Sequence, residues 1–128
     1  MGNESVKNML VEFKSRLRTL KKIAEEKQKA IVEFDYGKIE DAVKQEEKII
    51  SEILEIHKFF ASSSDAKKLA ELSRSDPELH KLRSEIESEA GEVRKLNSEN
   101  RYLLSHSLMF VKGLIEVFQE AGKINKKV

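Results

Sequence analysis

Asn97 and Asn100 lie three residues apart in an otherwise helix-forming segment, and Leu104 and Ser107 continue the same helix face. Asparagine is a poor interior helix residue, because its amide competes for backbone hydrogen bonds. The pair therefore marks a polar stripe with a specific task, running into an apolar one. Other residue types that carry chemistry are more scattered. Glu85, Glu87, Glu89 and Glu92 resemble a carboxylate cluster suited to acid–base work or cation binding. On a helix they splay, only Glu85 and Glu89 are i,i+4 neighbours, and a solvated face is the expected role. His57, His80 and His106 are far apart, and none has a second ligand in a recognisable metal motif. There is no glycine-rich phosphate loop and no nucleophile elbow. The expectation is a chain without catalytic residues, metal or cofactor, and not an enzyme.

Composition narrows the class. The chain has 128 residues, room for one core, with 37% charged and 6% aromatic side chains and one proline. That profile belongs to long solvated helices. The net charge of +1 gives no global field for nucleic acid. Lys21, Lys22, Lys27 and Lys29 are the densest basic group, and Glu25 and Glu26 interrupt them. The absence of cysteine fits a reducing compartment. No apolar run approaches the roughly 20 residues that span a bilayer, and the N-terminus lacks a signal-peptide pattern. The expected location is the cytoplasm.

The elements that position these residues are helices. Val6, Leu10, Phe13, Leu17, Leu20, Ala24, Ile31 and Phe34 step by threes and fours, which predicts a first helix over 5–34. Lys27 is the one break in that stripe. A repeat near 3.5 implies a narrow seam against another helix. Asp35 is placed to cap a second helix over 36–60, and Gly37 supports a break there. Residues 1–34 carry a net +3 and residues 35–60 a net −3, which favours antiparallel pairing of the two. A polar linker over 61–76 contains the flexible Ser62-Ser63-Ser64 and a short helical stretch. Asp76-Pro77 then reads as N-cap and first turn. A long third helix follows over 77–121, with Gly122 as its expected stop and a fraying basic tail over 123–128. At 1.5 Å per residue the third helix is longer than either partner and must overhang the hairpin at one end. The fold class is all-α: an antiparallel helical hairpin plus one long C-terminal helix, an elongated, coiled-coil-like three-helix bundle in one domain.

The third helix changes character along its length. From Leu79 to Leu96 the apolar residues occupy one narrow stripe. From Leu103 to Phe118 a second seam opens beside it: Leu104, Leu108, Val111, Ile115 and Phe118. This seam fits either another helix of the same bundle or the helix of a partner.

The segment Leu96-Asn97-x-x-Asn100-x-x-Leu103-Leu104-x-x-Ser107-Leu108-x-Phe110 resembles the FlgN family of flagellar type III export chaperones. Glu33-Phe34-Asp35-x-x-x-Ile39 and Lys44-Gln45-Glu46-Glu47-Lys48-Ile49-Ile50 resemble that family's hairpin. The likeness covers about residues 10–118 and departs at Arg101, where members often have glycine. It implies a cytoplasmic chaperone that binds the C-terminal helices of hook–filament junction proteins. Such a chaperone prevents their premature assembly and delivers them to the export gate. By the resemblance, Asn97, Asn100, Leu103, Leu104, Ser107 and Leu108 carry the motif; the expected partner-binding set is Asn97, Asn100, Leu104, Ser107, Leu108, Val111, Ile115 and Phe118. A homodimeric structural coiled coil, or a related chaperone for filament-cap or filament subunits, are the competing expectations.

Overall fold

The computed structural model describes residues 3–59, 67, 70–72 and 74–126, with the backbone alone at 3, 59, 107, 108, 110, 111 and 122–126. The chain forms three long helices: α1 (Asn3–Val32), α2 (Tyr36–Phe59) and α3 (Pro77–Lys126). The all-α class and the long last helix agree with the sequence reading.

The α1–α2 turn is built locally. The Asp35 N–H donates to the Ala30 carbonyl and the Phe34 N–H to that of Ile31, a Schellman closure of α1. Phe34 holds the left-handed conformation this closure requires, with φ 56°. Asp35 then caps α2, its Oδ1 accepting from the Lys38 N–H at 3.1 Å. The break therefore sits at Phe34, ahead of Gly37, and α1 ends two residues earlier than its apolar stripe suggests.

Asp76 performs the same service for α3. Its Oδ1 accepts from the Glu78 N–H at 3.0 Å, and Pro77 occupies the first helical position, where no N–H is needed. Residues 70–72, 74 and 75, which precede it, are helical too. The serine run at 62–64 lies outside the described residues. At its far end α3 does not stop at Gly122 but continues to Lys126. None of the described glycines has a positive φ. Without a left-handed residue there is no C-terminal closure, and glycine inside a helix costs only about 1 kcal/mol.

Packing is organised by α1, which makes an extensive interface with each of the other helices. No comparable interface joins α2 to α3 among the described residues. The α1–α2 pair is antiparallel. Lys27, the polar break in the α1 stripe, is answered by Glu46 of α2 at 3.3 Å, and Arg16 by Glu52 at 3.6 Å. The α1–α3 pair is parallel. Val6, Leu10 and Leu79 form a buried cluster on which Leu72, Leu82 and Ile86 pack. Further along, Leu17, Leu20, Ala24 and Ile31 of α1 and Val93 of α3 are also buried. These positions follow the a and d places of a heptad repeat on both helices, as in a parallel two-stranded coiled coil.

Candidate functional site: the polar lock and the projecting end of α3

The α1–α3 interface has a constant register. Lys7 pairs with Glu78, Lys14 with Glu85, Lys21 with Glu92, and Gln28 donates to Glu99. Every one of these pairs is separated by 71 residues in the chain. Arg18 and Glu89, at 3.5 Å, share that separation. The glutamates expected on a solvated face are thus mostly committed to α1: Glu85, Glu89 and Glu92 meet its basic edge. Only Glu87 stays on its own helix, 3.3 Å from Arg83. The physical reason is the seven-residue spacing shared by the lysines of α1 and the glutamates of α3. That spacing is visible in the sequence, but it acquires meaning only once the two helices are known to be parallel neighbours. The Glu92 carboxylate holds the Lys21 ammonium above its ordinary pKa. Glu78 and then Asp76 do the same for Lys7.

Asn100 lies at the centre of this seam and is 2% exposed. Its Nδ2 donates to the carbonyl oxygen of Ala24 at 2.9 Å. The small Ala24 side chain leaves that carbonyl reachable. The Asn100 Oδ1 is buried with no hydrogen-bond donor. Asn97 is half-buried one turn earlier. The two asparagines therefore differ: Asn100 is spent on α1, and Asn97 stands at the edge of the seam.

Beyond Asn100 the surroundings of α3 change. Val32, the last residue of α1, lies eight residues past Ala24 and is level with position 108 of α3. The helix from there to Lys126 projects about 27 Å past the end of α1. On this projection Met109, Leu114, Ile115, Val117 and Phe118 are all exposed, Phe118 by 71%. Leu104, where the second seam begins, is half-buried, and Ile115 and Phe118, where it ends, are open. Ser107, Leu108 and Val111 lie between them on the same helix, outside the described side chains. Within the described residues neither α1 nor α2 covers Ile115 or Phe118 at the end of this seam. Tyr102 and His106 meet in a tilted ring contact, centroids 4.3 Å apart and planes inclined by 56°, just before the projection begins. His57, His80 and His106 are all exposed.

A helical hairpin with a long parallel third helix, polar at its seam and apolar at its free end, has a family counterpart. The family model described as FlgN protein matches residues 1–126. The chain belongs to the FlgN family. No curated protein and no solved structure matches it. FlgN-family proteins are export chaperones of the flagellum, a non-enzymatic family whose members bind flagellar proteins. No helix among the described residues is long and apolar enough to cross a membrane. In this FlgN-family chain the motif residue Asn100 is buried against α1, whereas Ile115 and Phe118, which lie past the motif, are exposed.

Proposed function

We propose that this chain is a cytoplasmic export chaperone whose projecting α3 end holds the C-terminal helices of hook–filament junction proteins. It keeps them from assembling early and hands them to the membrane export gate. One observation carries the reading: on a helix end about 27 Å long, Met109, Leu114, Ile115, Val117 and Phe118 lie open to solvent. Contiguous exposed apolar surface marks an interaction site, and an amphipathic helix covers such a face by adding itself to the bundle.

The partner-facing residues of this reading are Leu104, Ser107, Leu108, Val111, Ile115 and Phe118. Asn97 borders them, and Asn100 contributes from inside by holding α3 in place. Burying the five apolar side chains of this seam yields roughly 7–15 kcal/mol gross. Association and side-chain ordering remove much of that. What remains suits reversible holding, which a carrier that must release its client requires.

Calorimetric titration with C-terminal segments of junction, filament-cap and filament-subunit proteins from the same genome tests the client. Selective binding of the junction segments, with a negative heat-capacity change, is the expected result. Binding confined to a cap or filament segment would keep the chaperone and replace the client. A chain that binds none of them and self-associates with rising concentration would instead be a homodimeric coiled coil.

A further inference from the structure

The ion-pair ladder between α1 and α3 cannot by itself define how the two helices are aligned. Lys7, Lys14 and Lys21 repeat every seven residues, and so do Glu78, Glu85, Glu92 and Glu99. Sliding α3 by seven residues toward the start of α1 places Lys7 opposite Glu85, Lys14 opposite Glu92 and Lys21 opposite Glu99. The ladder re-forms with different partners. The apolar layers tolerate the slide too, because Leu10 then meets Val93 and Leu20 meets Leu103. A heptad seam is degenerate in this way unless something inside it is unique.

Asn100 is unique. In the observed alignment its amide reaches the Ala24 carbonyl, because Ala24 is small. One heptad away in either direction the residue opposite is Leu17 or Ile31, whose side chains cover their own backbone. The amide would then be buried with no acceptor, which is costly. The other contacts outside the repeat, Arg18–Glu89 and Lys7–Asp76, each involve a group that solvent still reaches. They discriminate less.

We propose that Asn100 fixes the register of α3 on α1, and that without it α3 also takes alignments one heptad away. Register in turn sets how far the apolar end projects, since one heptad is about 10 Å of helix. The inference stands independently of the client.

The natural absence of cysteine allows clean labelling. Ser15 and Ser98 are exposed, one on each helix. In a Ser15→Cys, Ser98→Cys chain carrying nitroxide labels, pulsed electron-spin distance measurement should give one distance. Adding Asn100→Leu should produce a second population, displaced along the axis by about 10 Å. Asn100→Ala provides the same readout should leucine overfill the layer. Moving the asparagine by one heptad, with Asn100→Leu and Val93→Asn together, should shift the main population to the longer separation. There the asparagine at position 93 again faces Ala24. An unchanged single distance in the folded variants would overturn the proposal and assign the register to the ladder and its end contacts.

Discussion

Lys7, near the start of α1, lies 3.1 Å from Asp76, the residue that caps α3. One carboxylate thereby starts a helix and ties it to its neighbour. The Lys7 side chain, the Glu78 N–H and the Leu79 N–H together hold the Asp76 carboxyl below the usual carboxylate range. A depressed carboxyl stabilises the fold above its unfolded pKa of about 4, and the contribution fades as pH falls through the lower folded value. Lys7 runs the other way: its raised pKa stabilises the fold below about 10.5 and is lost as pH rises through the folded value. Asp76→Asn should therefore lower the melting temperature at neutral pH, and the gap from the natural chain should narrow as pH falls below about 4. A gap independent of pH would show that the Asp76 charge contributes nothing.

The Lys27–Glu46 pair between α1 and α2 is mostly shielded, with side chains 18% and 14% exposed. The second Glu46 oxygen is buried without a donor. Lys27→Ala should cost about 1–3 kcal/mol, because it strands the glutamate. Replacing both residues, as in Lys27→Leu with Glu46→Leu, should recover most of that loss. A double-mutant cycle by urea denaturation reads the coupling directly.

At the α1–α2 turn, Asp35→Ala should destabilise by about 1 kcal/mol through loss of the cap. Phe34→Gly should stabilise by up to about 1 kcal/mol, since glycine takes the left-handed conformation without steric penalty. Urea midpoints of the two variants, moving in opposite directions, would establish that turn chemistry terminates α1.

Much of this fold is legible in the sequence, because its punctuation is local. Asp35 and Asp76-Pro77 act on backbone groups two or three residues away, so their roles follow from the residues themselves. The glutamates of α3 are misread for the opposite reason. Their partners lie 71 residues away, and a charge on a helix face has the same local signature whether it meets water or a lysine. Asn100 stands out as an anomaly in a helix, yet its target carbonyl on Ala24 depends on a register that the repeat itself leaves ambiguous. Gly122 misleads because a glycine permits a helix stop without compelling one. The second seam is legible as a pattern, but which helix covers it is not. That depends on where α1 ends relative to α3.

The most direct test of the account alters the free end of α3 without touching its interface with α1. Ile115 and Phe118 are 50% and 71% exposed, so Ile115→Asp and Phe118→Asp should leave helicity and melting temperature nearly unchanged. Calorimetric titration of these variants with the C-terminal segment that the natural chain binds should show affinity reduced at least about tenfold, roughly 1.4 kcal/mol or more. Full affinity in both variants would contradict the account and move the client site elsewhere on the molecule. Loss of the fold in both would contradict it equally, by showing that this end of α3 belongs to the core.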